Sequence, residues 1–316
     1  MQRSQKDVEY DFDGRTSDSS GVQGSGDLRD SGGVQGRAGL QGQSEAELTA
    51  AIAREEFEVW YQPQVDMRTG AIFGAEALVR WRHPRRGLLL PASFLPALER
   101  RGLMPAVDQE VLRLVCKDAK EAKRSGIPFG PVSVNLSRLH AGRGEMRCAE
   151  EYAGSLCPDF LGEDAADRNE LLFDRNELLF ELTETAREKE EDQEIRQFAR
   201  KLQDEGFRIA MDDYGMGSST LKMLCQIPFD ILKLDRYFVN RIGDAKSETI
   251  LRSTISMAKE LGMEVVAEGV ERRRQIGFLL EAGCRLAQGY YYARPLRKAR
   301  YLRYRQEDRH LPEVRK

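Results

Sequence analysis

The sequence predicts an α/β fold, a modified (β/α)8 barrel of the TIM type in one domain. From about residue 45 onward, short apolar segments of strand length alternate with helical segments. Repeated βα units favour a parallel sheet, because parallel strands need crossover connections that are usually helical. The run covers about 270 residues, which fits one eight-stranded barrel better than two small domains.

The predicted strands are short apolar runs that end in polar residues. Such runs are typical of the buried strands of a parallel sheet. In chain order they cover 59–66, 73–81, 132–136, 177–184, 207–213, 230–235 and 264–269.

The predicted helices lie between these strands and several end at glycine. Gly126 follows one helical pattern and Gly206 follows another, as expected where a chain leaves a helix in the left-handed conformation. The predicted helices cover 95–104, 107–126, 187–204, 245–261 and 271–281.

Three segments are predicted from composition: a disordered tail at 1–44, the barrel at 45–300 and a basic tail at 301–316. Gly, Ser, Asp and Gln dominate 1–44, so this segment cannot bury enough apolar surface to fold; a flexible tether to a partner is the alternative. Residues 294–316 contain nine Lys or Arg and three acidic residues. We interpret this end as a solvated last helix with a frayed tail, although docking on anionic lipid or a partner is the alternative.

The composition excludes several classes of protein. Lys and Arg total 49 against 52 Asp and Glu, a net charge of −3, which argues against binding to a nucleic-acid polymer. No apolar stretch is long enough for a transmembrane segment. The chain has three histidines, and its five cysteines form no Cys-x-x-Cys pair, which disfavours a zinc enzyme or a disulfide framework. We therefore expect reduced thiols, a cytoplasmic location and, for an enzyme, carboxylate chemistry.

Carboxylate and amide side chains stand at the ends of the predicted strands. In a barrel the carboxyl ends of the strands meet at one mouth, where catalytic groups gather. Oxygen donors without His or Cys favour Mg²⁺ or Mn²⁺, and a pair of such ions suits in-line attack of water on a phosphodiester. A single carboxylate at a strand end is usually a helix cap, but six such residues are hard to explain as caps. They are Glu76, Asn135, Glu181, Asp212, Asp213 and Glu268, with Lys233 within another strand.

An ordered set of motifs resembles the EAL family, bacterial phosphodiesterases that hydrolyse cyclic di-GMP to linear pGpG. The similarity runs from about Phe57 to Leu296. The motifs are YQPQVD at 61–66, GAEALVRW at 74–81, SVNLS at 133–137, ELTET at 181–185, AMDDYGMG at 210–217, ILKLDRYFV at 231–239, VVAEGVE at 265–271 and QGYYYARPL at 288–296.

The resemblance implies a role for each matching residue. Lys233 would hold and polarise the attacking water, and Glu268 would act as a base besides binding metal. The implied ligands of Mg²⁺ or Mn²⁺, two ions in the site, are Glu76, Asn135, Glu181, Asp212, Asp213 and Glu268. The implied contacts to cyclic di-GMP are Gln62, Leu78 in a guanine pocket, Arg80 at a phosphate, and Gln288 near the water network. Glu184 would anchor the loop that follows Asp213.

The sequence departs from the family pattern after Asp213. The family usually has Asp-Asp-Phe-Gly-Thr-Gly-Tyr-Ser-Ser, and this chain has DDYGMGSST at 212–220, with Met216 and Ser218 at altered positions. The segment DRNELLF also occurs twice in tandem, at 167–173 and 174–180, beside Glu181. The implied ligands are all retained, so we expect an active enzyme that Ca²⁺ inhibits.

Two alternatives remain open at this point: a catalytically silent cyclic di-GMP receptor, and a protein-interaction module that binds no nucleotide. The resemblance also makes a homodimer through the region near residues 213–225 one of the expectations. Nothing in the sequence predicts the regulatory partner or signal.

Overall fold

A computed structural model describes residues 45–137, 177–183, 191–215 and 220–306. The predicted N-terminal tail, the first copy of the DRNELLF repeat and residues 307–316 lie outside these ranges, so those predictions stay predictions.

Eight strands close into a barrel, which confirms the predicted fold class. The first barrel strand, β1, pairs with β2 on one side and β9 on the other, so the sheet closes on itself. Two short strands, β3 (Gly87–Leu89) and β10 (Leu296–Arg297), pair with β2 and β1 outside the ring. The barrel strands are β1 (Phe57–Asp66), β2 (Ile72–His83), β4 (Val132–Leu136), β5 (Leu178–Thr183), β6 (Arg208–Tyr214), β7 (Ile231–Leu234), β8 (Glu264–Ala267) and β9 (Leu286–Gln288).

β1 runs in the opposite direction to the other seven barrel strands. It pairs antiparallel with both β2 and β9, whereas every other neighbouring pair in the ring is parallel. The reason is the link between β1 and β2, residues 67–71, which is too short for a helical crossover and turns at Gly70 (φ 78°). The predicted parallel sheet therefore includes seven of the eight barrel strands, and β1 is the exception.

The described helices surround the barrel and include the five predicted ones in the predicted order. Asp244 caps α7 by accepting a hydrogen bond from the Ser247 amide, and α8 ends at Gly283 in the left-handed conformation. None of the described helices is both long and apolar enough to cross a bilayer. The helices are α1 (Glu45–Ala53), α2 (Pro91–Arg100), α3 (Met104–Arg124), α4 (Glu191–Asp204), α5 (Thr220–Gln226), α6 (Arg236–Val239), α7 (Ala245–Glu260), α8 (Arg273–Ala282) and α9 (Lys298–Gln306).

The first two predicted helices begin earlier in the structure than expected, since α3 starts at Met104 rather than at residue 107. The segment 95–104 was expected as a single helix, but α2 begins at Pro91 and ends at Arg100. Proline suits the first turn of a helix because its missing amide hydrogen would have no intrahelical partner there. Gly102 has φ 67°, a left-handed conformation that separates α2 from α3.

The buried apolar residues form two clusters, one around the barrel and one inside it. The large core lies between the strands and the surrounding helices. A second, small cluster lies inside the barrel, and each of its residues, including Phe73 on β2, comes from a different parallel strand. The residues on β5 to β9 form an apolar floor, and polar side chains follow them two positions later on the same strands. The floor consists of Leu179, Ala210, Ile231, Val266 and Leu286, with Phe73 packed against it.

The last described helix packs against the barrel. Tyr301 on α9 is fully buried, stacks on Tyr61 of β1 at 5.1 Å between ring centroids, and donates a hydrogen bond to the Phe129 carbonyl at 2.8 Å. The described part of the predicted basic tail is thus an anchored helix rather than a solvated one. Tyr301, Leu302 and Tyr304 lie among basic residues in α9, and this mixture gives little apolar periodicity, which is why the sequence pattern did not show this contact.

Gly74 marks the closest approach between β2 and the start of β4. A Cβ atom added there would lie 2.4 Å from the Pro131 carbonyl oxygen, a backbone atom that also accepts a hydrogen bond from Ala75. We expect Gly74→Ala to lower the free energy of unfolding by about 1–3 kcal/mol through overpacking. Urea unfolding followed by far-UV circular dichroism measures this.

The matched control is Gly277→Ala on α8, where an added Cβ would have no atom within 4 Å. Alanine favours a helix interior, so this variant should be neutral or more stable by up to about 1 kcal/mol. Equal unfolding free energies for the two variants would contradict the close contact between β2 and β4.

Candidate active site

The polar layer above the apolar floor comes from the alternation of side chains along each strand. Successive residues of a strand point to opposite sides, so a residue two positions after a floor residue also points into the barrel. The parallel strands thereby bring one polar group each to the same level. The floor and polar pairs are Leu179 and Glu181, Ala210 and Asp212, Ile231 and Lys233, Val266 and Glu268, and Leu286 and Gln288.

Lys233 lies at the centre of this layer and is 1% exposed. Its Nζ atom is 2.7 Å from Glu181 Oε2, 2.9 Å from Asp212 Oδ1 and 2.8 Å from Glu268 Oε1. A fourth carboxylate, Glu76 Oε2, lies 3.6 Å away. The structure therefore brings together residues from five strands or strand ends that are up to 192 positions apart in the sequence (76 to 268).

The electrostatic state of the cluster reflects one buried ammonium among several carboxylates. Burial lowers the pKa of Lys233, but Asp212, Glu181, Glu268 and Glu76 more than offset this and raise it well above its ordinary value. Burial, opposed in part by Lys233, raises the pKa of Glu268 to about 8 and also raises that of Glu181. One cation thus does not neutralise the cluster, and additional positive charge would stabilise it.

Asp213 joins the cluster through an irregularity in β6. The pairing of β6 with β7 shifts register between Met211 and Tyr214, and Asp213 has φ 53°, a left-handed conformation uncommon for a residue other than glycine. Carboxylate oxygens of Asp212, Asp213 and Glu268 consequently lie within 4.8 Å of one another. Burial and the neighbouring Asp212 raise the pKa of Asp213 to about 6.

Amide side chains hold Glu76 in place. Asn135 Nδ2 donates to Glu76 Oε1 at 3.2 Å, and Gln288 Nε2 donates to the other carboxylate oxygen. Gln288 Nε2 also donates to Gln62 Oε1 at 3.2 Å, and Gln64 Nε2 donates to Gln288 Oε1 at 3.1 Å. The register of β1 explains this, because Gln62 pairs with Glu76 and Gln64 with Gln288.

Gln64 is a site residue that the sequence reasoning missed. It is buried, and it lies on the same face of β1 as Gln62, two positions away. Two glutamines at alternate positions of a predicted strand, and therefore on one face of it, were the available signal.

Leu78 and Arg80 lie further along β2, toward the mouth of the barrel. They follow Glu76 at alternate positions and therefore share its face. Arg80 is 6% exposed, its Nη1 donates to the Val79 carbonyl at 2.8 Å, and its Nε has no hydrogen-bond partner among the described residues. Burial lowers the pKa of Arg80. The predicted loop anchor, Glu184, lies outside the described residues, so its role stays a prediction.

Comparison with known proteins shows which family this chain belongs to. The model of the EAL domain matches residues 45–295. The chain belongs to the EAL-domain family. The resemblance in the sequence motifs is thereby confirmed, and the polar cluster lies within the matched range.

Two relatives of this EAL domain come from Pseudomonas aeruginosa. The cyclic di-GMP phosphodiesterase NbdA is 38% identical over 259 residues, which cover 80% of this chain and 31% of NbdA. The cyclic di-GMP phosphodiesterase RocR is 32% identical over 263 residues, which cover 83% of this chain and 63% of RocR. The chain thus spans only part of the length of these relatives.

Solved structures have the same fold as this EAL domain. The PaMucR phosphodiesterase in complex with c-di-GMP is 29% identical, with a TM-score of 0.69 over 81% of this chain and 98% of that one. The EAL domain of Mycobacterium smegmatis DcpA is 26% identical, with a TM-score of 0.62 over 80% of this chain and 97% of that one.

The residues present in this EAL domain fit a divalent cation. The donors are carboxylate and amide oxygens, which hard ions prefer. Glu181 is fully buried, and its Oε1 atom has no hydrogen-bond partner within the described ranges, so a buried acceptor is free to bind a cation. The grouping of Asp212, Asp213 and Glu268 supplies further oxygens at short range.

Removal of the central ammonium should destabilise the domain. We expect Lys233→Met to lower the free energy of unfolding in EDTA by about 3–5 kcal/mol, because Glu181, Asp212 and Glu268 lose their shared cation in a buried site. Lys259→Met, on the exposed side of α7, is the matched control and should change it by less than about 0.5 kcal/mol. Equal urea midpoints for the two variants would show that Lys233 does not neutralise the cluster.

Proposed function

We propose that this EAL domain hydrolyses cyclic di-GMP to linear pGpG by in-line attack of water on one phosphodiester bond. The observation that carries the proposal is the convergence of Glu76, Asn135, Glu181, Asp212 and Glu268 around Lys233. The names of NbdA and RocR as cyclic di-GMP phosphodiesterases, and the c-di-GMP complex of PaMucR, support the choice of substrate.

Two Mg²⁺ or Mn²⁺ ions are the proposed cofactors. Their proposed ligands are the polar layer residues with oxygen donors: Glu76, Asn135, Glu181, Asp212, Asp213 and Glu268. When bound, such ions lower the pKa of a coordinated water and neutralise charge on the phosphate. The crowding of carboxylates in a buried site, which raises the pKa of Glu268 and Asp213, supports this choice because cations would relieve the repulsion.

Lys233 and Glu268 are the proposed proton-handling residues. Lys233 Nζ donates toward the attacking water and stabilises negative charge that develops on its oxygen. Glu268 Oε1, 2.8 Å from Lys233 Nζ, receives the proton that the water loses. The apolar floor beneath both residues limits the access of bulk water and strengthens these electrostatic interactions.

The substrate contacts lie on β1, β2 and β9. Arg80 is proposed to bind a phosphate, since a guanidinium donates two parallel hydrogen bonds to a phosphate group and its buried Nε is unpaired among the described residues. Gln62 and Gln288 orient the substrate and its water, and Leu78 lines a pocket for guanine. Glu184 is proposed to anchor the loop after Asp213.

A homodimer through residues 213–225 and a cytoplasmic location also stay predictions.

Glu76 provides the direct test of the proposed activity. We expect Glu76→Ala to reduce hydrolysis of cyclic di-GMP at least about 1,000-fold in Mg²⁺, because one metal ligand and the contacts of Asn135 and Gln288 are lost. Chromatography of the nucleotides measures pGpG, and circular dichroism checks the fold. Glu281→Ala, on the exposed side of α8, is the control and should keep the parent rate.

The same assay separates the remaining readings. Formation of pGpG by Glu76→Ala at the parent rate would contradict the assignment. An unaltered chain that binds cyclic di-GMP in a calorimeter but forms no product in Mg²⁺ or Mn²⁺ would be a silent receptor. A chain that gives no heat of binding would be an interaction module.

Metal removal provides a test that does not depend on turnover. Mg²⁺ or Mn²⁺ added to the EDTA-treated protein should raise its melting temperature by several degrees, because a ligand that binds only the folded state stabilises it. Glu181→Gln should lose most of this increase, since Glu181 is a proposed ligand with an unpaired buried oxygen. Ca²⁺ should stabilise the fold but not support hydrolysis. Equal melting temperatures with and without these ions would exclude the proposed site.

A further inference from the structure

Trp60 stands one level above the polar layer, on the side of the barrel mouth. It lies on the same face of β1 as Gln62, two residues away, and it pairs in register with Leu78 on β2. Because β1 runs antiparallel to β2, the step from Gln62 to Trp60 leads in the same direction as the step from Glu76 to Leu78. The indole is therefore about 7 Å further toward the mouth than Gln62.

The edge of the Trp60 ring is fixed while the ring remains partly exposed. Its Nε1 donates to Glu58 Oε1 at 2.8 Å, and Glu58 is in turn paired with Arg82. The other tryptophan, Trp81, is 1% exposed and packs in the core against Phe57. Only Trp60 of the two thus has ring surface that a ligand can reach.

Two guanidinium groups lie over the Trp60 ring at the long end of the cation–π range. Arg80 Cζ is 5.6 Å and Arg297 Cζ is 5.3 Å from the ring centroid, whereas Arg241 stacks on Tyr237 at 3.5 Å. The longer distances show that neither guanidinium lies flush on the indole. Arg297 is exposed and has no ion pair within the described ranges, and it pairs in register with Trp60.

We propose that Trp60 is a stacking platform for one guanine base of the cyclic dinucleotide, with Arg297 as a second cation that attracts its phosphates. The inference deepens the proposed function and rests on it. A fixed indole beside Leu78 offers a purine a flat apolar surface, and stacking of a base on an aromatic side chain is a common source of affinity. Arg80, with its buried and unpaired Nε, and Arg297 place positive charge on either β-strand neighbour of Trp60, which suits a ligand that has two phosphates.

Trp60 is expected to act in binding rather than in the chemical step. Trp60→Leu should raise the dissociation constant of cyclic di-GMP about ten-fold, which is the size expected when one base loses its aromatic partner. KM should rise accordingly while kcat changes less than two-fold or so. Trp60→Phe should recover most of the affinity because the aromatic face remains, and Arg297→Ala should weaken binding more strongly at low salt than at high salt.

The chain contains two tryptophans, so fluorescence reports on Trp60 directly. Cyclic di-GMP is titrated into the full chain in Ca²⁺, with calorimetry on the same samples. In Trp81→Phe the remaining emission comes from Trp60 and should change with a midpoint that equals the calorimetric dissociation constant. In Trp60→Phe the emission comes from buried Trp81 and should stay constant while calorimetry still shows binding.

The outcomes separate this inference from the proposed function. Calorimetric binding with unchanged Trp60 emission, together with an unchanged dissociation constant for Trp60→Leu, would overturn the stacking platform and leave the proposed activity intact. No calorimetric binding to the unaltered chain would overturn both. Equal affinity losses in Trp60→Phe and Trp60→Leu would also overturn it, because a stacking role requires rescue by an aromatic ring.

Discussion

The structure depends on one electrostatic constraint, the burial of several carboxylates around a single ammonium. Lys233 is 1% exposed and contacts three carboxylates within 3 Å, and the layer beneath it is apolar. In a medium of low dielectric constant each of these interactions is stronger than in water, and each unpaired charge is more costly. The barrel can hold the cluster because its backbone hydrogen bonds form a closed ring that does not depend on these side chains.

The reversed direction of β1 shapes the site as much as the cluster does. A parallel first strand would present its side chains in another register, whereas the antiparallel pairing sets Gln62 opposite Glu76 and Gln64 opposite Gln288. The same reversal directs Trp60 toward the mouth. The parallel strands supply all of the carboxylates of the site and the lysine, together with the amides Asn135 and Gln288, whereas β1 supplies only amide and aromatic groups.

Much of the fold and site could be predicted because the signals are local. β4 has the limits 132–136 that its apolar run predicted, and Gly126 has the expected left-handed conformation after α3. The residues at strand ends could be grouped because barrel topology alone brings them to one mouth. Their roles as ligands, bases or substrate contacts stay predictions, since position alone does not assign chemistry.

The features that sequence reasoning missed depend on pairing between distant segments. Asp213 was a predicted ligand, but its left-handed conformation and the shift of register between β6 and β7 were not predicted, because no local pattern encodes that shift. The buried position of Tyr301 depends on Tyr61 and Phe129, more than 170 residues earlier. Both features depend on contacts between segments that are distant in the sequence, and hydrophobic periodicity describes only local patterns.

The position of the cluster relative to the floor suggests why the domain tolerates it. Leu179, Ala210 and Ile231 fill the barrel below the charges. The repulsion between the crowded carboxylates therefore changes their ionisation and leaves the packing of the barrel unchanged. The raised pKa of Glu268, about 8, and of Asp213, about 6, show that this repulsion can be relieved by proton uptake when no other cation is bound. In the proposed function, metal ions would take the place of these protons, and the apolar floor lies directly beneath the proposed oxygen donors.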